Sequence, residues 1–342
     1  AGSSQTHNMV LIPFSGVGSY SNNTGVRSGW EMLISTHYLN FDGATWVDPS
    51  ANCQAGNQIG SDLVYEYYTA GGKQGWAVDI SRDSELVLSG APDEPHPGGT
   101  VGGAVLFSLF SGVHPVLNYT PNGEYQAWSE HPWSSTLNNL DDIRYGNSVA
   151  IGGNGHLIAI GGNGNNSYAD KRGAVRVFKA TTSGLSTTWE PHGGFDVDNN
   201  ITGSADTNDL AYFGLTNALS LNNSSTTDRL AVGSPWEDTI YGALTGRIQV
   251  FEWDAGTANW VQMGSNIIGT EADERFGILK LNKEGNRLVV GAVGHDDANN
   301  KGTVRVYDWN GSSWSQLGSD IDGSNDDYAG WSVDINDEGD RI

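Results

Sequence analysis

The sequence has only one cysteine, 17 basic residues among 342 and no long apolar run. A single cysteine excludes an internal disulfide framework and a cysteine-based zinc site. The 17 Lys and Arg stand against 40 Asp and Glu, which gives a formal net charge of −23 at pH 7 and no positive footprint for nucleic acid. Because no stretch approaches the roughly 18 apolar residues of a membrane helix, we expect no direct membrane insertion.

Glycine and aromatic residues are abundant instead. The 47 glycines are roughly twice the usual share, and they lack the triplet period of collagen. With 12 Trp and 13 Tyr, the chain is not a disordered polyanion. The composition therefore predicts a turn-rich globular protein that is large enough to bury a core.

Seven Asn-x-Ser/Thr sequons indicate a chain that passes through a secretory pathway, where such asparagines accept N-linked glycans. The acceptor positions are Asn22, Asn118, Asn165, Asn200, Asn222, Asn223 and Asn310. Chance also produces sequons in a chain rich in Asn, Ser and Thr, and Asn310 belongs to an Asn-Gly hairpin turn. The start Ala1-Gly2-Ser3-Ser4 fits either a mature secreted chain or an expression scar. We expect an extracellular or cell-surface glycoprotein whose signal peptide has been removed.

A repeated unit of four segments dominates the sequence. Its aromatic-Gly start occurs at Tyr145-Gly146, Phe213-Gly214 and Phe276-Gly277 and, less well, at Gly75-Trp76 and Gly330-Trp331. The first two segments are largely apolar, the third alternates, and the fourth opens with Trp and is polar. Such a gradient predicts a β-propeller blade, whose inner strands pack between neighbouring blades while the outer edge meets water. We expect the repeated tryptophans to cover the outer strands; they are Trp189, Trp260 and Trp314.

Short motifs in these units match a known repeat. Phe213-Gly214 and Phe276-Gly277 match an FG motif, and Gly90-Ala91-Pro92 matches a GAP motif. Gly233-Ser234-Pro235 and Gly291-Ala292-Val293 are variants of the second motif. In this order the motifs resemble the FG-GAP repeats of integrin alpha-chain β-propellers and of their bacterial and algal relatives. The resemblance covers residues 73–342 and implies an all-β propeller of four-stranded antiparallel blades.

One propeller domain is expected over residues 1–342. Its predicted parts are a tail at 1–8, an atypical first blade with an insertion at 9–72, repeats at 73–144, 145–212, 213–275 and 276–329, and a closing strand at 330–342. Residues 37–46 align with 305–314, so the closing strand would complete the first blade from inside and remove free sheet edges. This gives five blades. Because integrin members have seven, a longer natural chain with further blades remains an alternative, as do terminal strands that pair with a neighbouring molecule.

The resemblance also implies calcium loops between strands one and two, with alternating carboxylates that converge on the ion. The corresponding loops here lie at 222–225, 282–286 and 336–340, and they keep the turn but lose the ligand set. Those calcium sites therefore do not carry over. One weak calcium candidate is the loop with Asp196, Asp198 and Asn200, which offers oxygens at alternate positions but lacks the glycine that should follow.

Acidic pairs follow the apolar second segment at similar offsets, at Asp93-Glu94, Glu237-Asp238 and Asp296-Asp297. We expect them on one face of the ring. They form there either a rim that binds a cation or ligand, or a charged surface that keeps the protein soluble. Asp296 and Asp297 are therefore weak metal candidates. Asp273-Glu274 and Asp326-Asp327, which precede an aromatic-Gly start, have the same two interpretations.

Patterns for catalysis are lacking, since the sequence has no His-Glu-x-x-His, His-x-His or Gly-x-Ser-x-Gly. We therefore predict no catalytic residues and no enzyme. The predicted function is non-catalytic binding or adhesion at the cell surface or in the extracellular matrix, with a protein or glycan partner. The alternative is a structural subunit of an extracellular filament or surface layer, which assembles with copies of itself. A glycan-acting enzyme is the third interpretation. None of them requires a cofactor, and calcium and N-linked glycans are the candidate additions.

Overall fold

The structure is a computed structural model and shows an all-β chain, as the sequence predicts. It describes residues 8–15, 20–22, 25–27, 32–41, 46–47, 75–81, 86–95, 101–108, 117–119, 125–127, 145–152, 155–162, 173–183, 186–194, 201–202, 219–222, 227–295 and 301–342. The first ten strands are β1 (Asn8–Ser15), β2 (Tyr20–Asn22), β3 (Gly25–Arg27), β4 (Met32–Phe41), β5 (Trp46–Val47), β6 (Val78–Ile80), β7 (Leu86–Pro95), β8 (Val101–Ser108), β9 (Leu117–Tyr119) and β10 (Tyr125–Ala127). Within the described ranges, no helix has the length and apolarity needed to cross a bilayer.

Fifteen further strands follow from residue 145 onward. They are β11 (Tyr145–Gly152), β12 (Leu157–Gly162), β13 (Ala174–Ser183), β14 (Ser186–Pro191), β15 (Ile201–Thr202), β16 (Leu219–Leu221), β17 (Arg229–Ser234), β18 (Arg247–Asp254), β19 (Asn259–Gln262), β20 (Ile267–Ile268), β21 (Phe276–Leu281), β22 (Arg287–Ala292), β23 (Thr303–Trp309), β24 (Trp314–Gln316) and β25 (Ile321–Asp322). Four groups of strands are named sheet I (β6–β8), sheet II (β11–β15), sheet III (β16–β20) and sheet IV (β21–β25).

Sheets II, III and IV follow one plan. Four consecutive strands pair antiparallel in chain order, and a short fifth strand pairs with the third. The tryptophan at the start of strand four pairs with the end of strand three in the same register, as Trp253 with Trp260 and Trp309 with Trp314. The predicted repeat of four-stranded antiparallel units is therefore confirmed for these three sheets, and the fold is propeller-like.

The core lies between neighbouring sheets. One buried cluster joins sheets I and II, a second joins II and III, and a third joins III and IV. The first strands also converge, because Lys280 Nζ in β21 lies 3.6 Å from Asp79 Oδ1 in β6. Asp79 raises the pKa of Lys280, against the opposing effect of burial and with help from Asp334. Trp260 is buried, and Trp189 and Trp314 pack against core clusters, which confirms their predicted place on the outer strands.

Glycines let the backbones of adjacent sheets touch. A Cβ on Gly90 would overlap the carbonyl oxygen of Gly146, and a Cβ on Gly291 would overlap that of Gly330. Gly146 and Gly330 have φ angles of +97° and +90°, which favour glycine for a second reason. Parallel bridges accompany this approach, from Tyr145 to Gly102 and from Ala329 to Gly302. The glycines of the aromatic-Gly and GAP motifs are thus the contact points between sheets.

The register of the last repeat differs from the prediction. Gly330 takes the place of Gly146, so the residue in the aromatic position is Ala329, and Trp331 is exposed instead of buried. Gly75-Trp76 behaves in the same way, since Gly75 also has a positive φ angle and Trp76 is exposed. The pairing of Trp with Gly as a repeat start was therefore wrong at both positions. Phe213-Gly214 lies outside the described residues.

The predicted closing strand is not formed. Residues 330–342 contain no strand, and β1, β4 and β5 make a separate three-stranded sheet. A strand needs a neighbour for its backbone hydrogen bonds, and none of the described residues offers a ladder to residues 331–335. β1, β4 and β5 pair in the order that strands two, three and four follow in the complete sheets. Among the described residues, no inner strand is added to them.

An asparagine closes the turn between strands one and two, where the resemblance implies calcium. Asn282 Oδ1 accepts hydrogen bonds from the N–H groups of Asn286 and Arg287, at 3.0 and 2.9 Å. Asn222 and Asn336 accept in the same way from Arg229 and Arg341. The side-chain amide thus closes the turn without a set of carboxylate ligands.

Arginines at the start of strand two cross the junctions between sheets. Arg287 pairs with both oxygens of Asp308, at 2.5 and 2.8 Å, and donates from Nη1 to the carbonyl oxygen of Gly339. Asp308 raises the pKa of this arginine. Arg229 makes the equivalent pair with Glu252 and reaches the carbonyl oxygen of Glu284. Each arginine therefore ties its own sheet to the turn of the next one.

A second tie between sheets lies at the outer edge. After strand four, the step His192-Gly193 lies under Trp253 and Trp260 of sheet III. Trp260 Nε1 donates to the carbonyl oxygen of His192 at 2.7 Å, and the imidazole stacks on Trp253 at 3.6 Å. The step Met263-Gly264 receives Trp309 and Trp314 of sheet IV in the same manner. In both places a dipeptide that ends in glycine packs against two paired tryptophans of the next sheet. We call this contact the outer lock.

We expect acid to weaken the outer lock at His192. Burial and the charge of Lys179 together lower the pKa of His192 from 6.5 to about 4, although Asp228 at 3.9 Å acts in the opposite direction. The unfolded chain therefore binds this proton first, so the stabilisation is complete above about pH 6.5 and is lost as the pH falls towards about 4. The shift corresponds to on the order of 2–3 kcal/mol of unfolding free energy.

The variant His192→Phe tests this effect, because it keeps a stacked ring without a titrating nitrogen. Urea denaturation at about pH 7 and about pH 4.5 should show a smaller loss of stability on acidification in the variant than in the native chain. The exposed His156, changed to Phe, is the control and should leave the acid sensitivity unaltered. Equal losses in the native chain and in His192→Phe would refute this explanation.

Candidate metal centre

A cluster of ionisable side chains lies at one end of sheet IV. Glu271 and Glu274 belong to the segment that leads into β21, and His295 follows β22. Asp320 precedes the short strand β25, and Asp322 ends it. Because β25 pairs with the first residues of β23, the two aspartates come next to the loop that carries His295. Residues far apart in sequence therefore meet at the same end of one sheet.

His295, Asp320 and Asp322 could hold a metal ion. Each offers one ligand atom, and these atoms all lie within 4.8 Å of one another. His295 and Asp320 are partly buried, and Asp322 is exposed. Thr303 Oγ1 donates to Asp322 Oδ1 at 2.8 Å and so fixes the orientation of that carboxylate. Imidazole and carboxylate are ligand types that suit divalent first-row metals.

A further carboxylate orients the imidazole. Nδ1 of His295 lies 2.8 Å from Glu271 Oε1 and 3.5 Å from Glu274 Oε1. A metal-binding histidine commonly directs its second nitrogen at a carboxylate, which fixes the ring and its tautomer. Glu271 is therefore the side chain that can hold the His295 ring in one orientation.

A buried ion pair supports the cluster from below. Arg305 Nη1 lies 2.5 Å from Oε1 of the fully buried Glu274, and its Nε lies 2.8 Å from Asp320 Oδ2. The second oxygen of Glu274 accepts hydrogen bonds from the N–H groups of Thr270 and Glu271. The guanidinium also lies over the Phe276 ring, 5.7 Å from its centroid. Arg305 thereby holds both Glu274 and Asp320 in place.

The electrostatics favour an added cation. Burial raises the pKa of Asp320, but hydrogen bonds from Gln316 and Arg305 outweigh it, so the pKa of this carboxyl lies below its usual range. Burial lowers the pKa of Arg305, and Glu274 and Asp320 outweigh that effect, so the guanidinium stays charged. Four carboxylates thus surround one guanidinium and one imidazole. The excess of negative charge attracts a divalent ion.

The sequence had not indicated these residues. The earlier candidates Asp196, Asp198, Asn200, Asp296 and Asp297 lie outside the described residues. A signal for the cluster does exist in the repeat: sheet III has Asn266 and Ile268 at the positions of Asp320 and Asp322, while Gln262 and Gln316 make equivalent hydrogen bonds. Two acids that replace an amide and an apolar residue mark the site as particular to sheet IV.

Three of the predicted rim acids have structural roles. Glu237 is buried and pairs with Arg247 at 2.8 Å, and Asp238 Oδ1 accepts a hydrogen bond from the Leu244 N–H. Glu274 is likewise buried against Arg305. The prediction of a rim acid was therefore wrong for Glu237 and Glu274, which are buried against arginines, whereas Asp238 is exposed and holds a loop in place.

The sequons have different environments. Asn222 is 2 % exposed, and its amide nitrogen donates to the carbonyl oxygen of Thr227 at 2.7 Å, which leaves no space for a glycan. Its predicted glycosylation is therefore wrong for the folded protein. Asn310 is exposed in a turn, where its Oδ1 accepts a hydrogen bond from the N–H of Ser313. Asn22 and Asn118 lie in β2 and β9, and Asn165, Asn200 and Asn223 lie outside the described residues.

Comparisons with known proteins give fold-level similarities at low identity. No family model matches the chain, and no curated protein matches it. A Bacteroides uniformis protein assigned as a 6-phosphogluconolactonase is 13% identical, with 97% of this chain and 73% of that chain covered and a TM-score of 0.43. A Pseudomonas aeruginosa periplasmic gluconolactonase is 14% identical, with coverages of 97% and 74% and a TM-score of 0.43. A thermostable family-43 glycoside hydrolase is 10% identical, with coverages of 91% and 94% and a TM-score of 0.43.

These comparisons contradict the function predicted from the sequence. The solved structures named above are two lactonases and a glycoside hydrolase, and none of the three is an adhesion protein or a filament subunit. Non-catalytic adhesion, with a filament subunit as its alternative, is therefore withdrawn. The prediction rested on an integrin-like motif, and fold-level motifs do not determine function.

Proposed function

We propose that this chain is a metal-binding protein with a divalent-cation centre at His295, Asp320 and Asp322. The observation that carries the proposal is the convergence of three ligand atoms within 4.8 Å. Ligands at about 2.1 Å from one ion lie at most about 4.2 Å apart, so the atoms need to move together by less than about 1 Å. The imidazole favours a transition metal such as Zn²⁺ or Mn²⁺ over Ca²⁺, which prefers oxygen ligands alone. The absence of enzyme activity remains a prediction.

The finer architecture is also a proposal. We infer a five-bladed FG-GAP-type propeller, in which β1, β4 and β5 are strands two to four of the first blade. The glycine contacts of Gly90 with Gly146 and of Gly291 with Gly330 support it. Lys280 and Asp79 support a ring-like arrangement, because they join sheets that are not neighbours in sequence. An extracellular location and glycosylation at exposed sequons such as Asn310 also remain proposals.

Loss of a ligand should weaken metal binding. His295→Ala and Asp322→Asn should each reduce the affinity for Zn²⁺ or Mn²⁺ by at least about tenfold, and Glu271→Gln should reduce it by roughly tenfold, because the imidazole loses its orienting carboxylate. Isothermal titration calorimetry on the full chain, initially freed of metal by a chelator, measures these affinities.

Asp254→Asn is the matched control, because Asp254 is a partly exposed carboxylate at the end of β18 in sheet III, away from His295 in sequence and sheet. It should bind metal as the native chain does. The proposal fails if the native chain binds neither Zn²⁺ nor Mn²⁺ at micromolar concentration. It also fails if His295→Ala and Asp254→Asn bind equally well, since the ions would then be held by general surface charge.

A further inference from the structure

Leu317-Gly318 is a third copy of the dipeptide that lies under the aromatic pair in an outer lock. Among the described residues, no aromatic pair covers it. The N–H of Leu317 donates to the carbonyl oxygen of Val306 at 2.7 Å, as Met263 does to Val250 and His192 does to Val177. Gly318 has a φ angle of +77°, close to the +72° of Gly264 and the +75° of Gly193. The backbone of the step Leu317-Gly318 is therefore shaped like the two steps that receive an aromatic pair.

The side chains around this step are apolar and exposed. Leu317 is 46% exposed, whereas the equivalent Met263 is 6% exposed. Ile321 is 51% exposed, whereas the equivalent Ile267 is 8% exposed. A Cβ on Gly318 would have no heavy atom within 4 Å, while one on Gly264 would meet the Trp309 ring at 2.9 Å. The difference at each position is the absence of an aromatic pair above it.

One described hairpin carries an aromatic pair in the required register. Strands β4 and β5 pair Phe41 with Trp46, as sheet III pairs Trp253 with Trp260 and sheet IV pairs Trp309 with Trp314. β4 also pairs antiparallel with β1, as the third strand of each complete sheet pairs with its second. This hairpin thus has the place in its sheet that the covering hairpins have in theirs.

We propose that the β4–β5 hairpin docks on Leu317 and Gly318 of the same chain and forms a third outer lock through Phe41 and Trp46. This contact joins the first sheet to sheet IV at the outer edge. It is a separate claim from metal binding and from the pairing of an inner strand. The occupant is the hairpin of the same chain, and the hairpin of a second copy is the competing outcome.

The variant Leu317→Glu tests the contact on the full chain. A glutamate on an uncovered surface has little effect on stability. A glutamate under an aromatic pair destabilises the protein, because its carboxylate loses its hydration. We expect the midpoint of thermal unfolding to fall by at least about 5 °C. The control is Val261→Glu on β19, which is 49% exposed in sheet III and should shift the midpoint by less than about 1 °C.

Trp46→Ala, alone and combined with Leu317→Glu, tests whether Trp46 is the residue that covers Leu317. If Trp46 covers Leu317, the shift of the double variant should be smaller than the sum of the two single shifts. Sedimentation should show a monomer throughout. Equal shifts for Leu317→Glu and Val261→Glu, or strictly additive shifts, would overturn the proposal. A native dimer that Leu317→Glu dissociates would also overturn it, and would assign the lock to a second copy.

Discussion

The variant Glu274→Ala is expected to lower the free energy of unfolding by about 3–5 kcal/mol. Glu274 is fully buried, and its removal leaves the guanidinium of Arg305 without its closest carboxylate, at 2.5 Å in the native chain. The N–H groups of Thr270 and Glu271 also lose their acceptor. Arg305 keeps Asp320 as a partner but loses one of the two carboxylates that compensate its removal from water, and such a loss costs more than the pair itself contributes.

Two further variants separate this cause from general damage. Glu284→Ala removes an exposed acid of the same sheet and should change stability by less than about 0.5 kcal/mol. The double variant Glu274→Met with Arg305→Met replaces the pair by apolar side chains and should recover most of the loss. Urea denaturation measures all three. If the double variant is as unstable as Glu274→Ala, the loss does not arise from the buried charge of Arg305.

Gly330→Ala is expected to cost about 3–5 kcal/mol of unfolding free energy. A Cβ on Gly330 would lie 2.6 Å from the Thr303 carbonyl oxygen and 2.7 Å from the Gly291 Cα, both backbone atoms. The segment around Gly330 would have to move away from sheet IV, which adds the cost of disturbed packing to that of a positive φ angle.

Gly311→Ala isolates the second of these costs. Gly311 has a φ angle of +98°, and a Cβ there would have no heavy atom within 4 Å. This control should lose only about 1–2 kcal/mol, which is the strain of an L-residue in that conformation. Denaturation curves with equal slopes would make the two values comparable. Similar losses in both variants would show that the close approach of the sheets contributes nothing.

The architecture was predictable because the repeat places its constraints at fixed positions. Gly90, Gly146 and Gly291 are glycines for a local reason that the sequence displays each time, namely backbone contact. The tryptophans at strand four recur for an equally local reason. The prediction was wrong where the first and last repeats depart from the pattern. Trp331 follows Gly330 and was taken as the aromatic residue of the motif, but Ala329 occupies that position.

The candidate site was not predictable, because it depends on the third dimension. His295 and Asp320 are 25 residues apart and meet only through the pairing of β25 with β23. The sequence likewise gave no means of distinguishing a surface acid from Glu274, whose partner Arg305 lies on the alternating third strand. Burial and pairing decide the role of an acid in so acidic a chain.

Three turns of this protein are closed by asparagine side chains. Asn222, Asn282 and Asn336 close with side-chain amides the loops that an ion would otherwise organise. These three turns therefore hold their shape without an ion, through hydrogen bonds within the chain. A metal ion at the proposed His295 site would then bind beside turns that are already closed, and its removal should leave those turns intact.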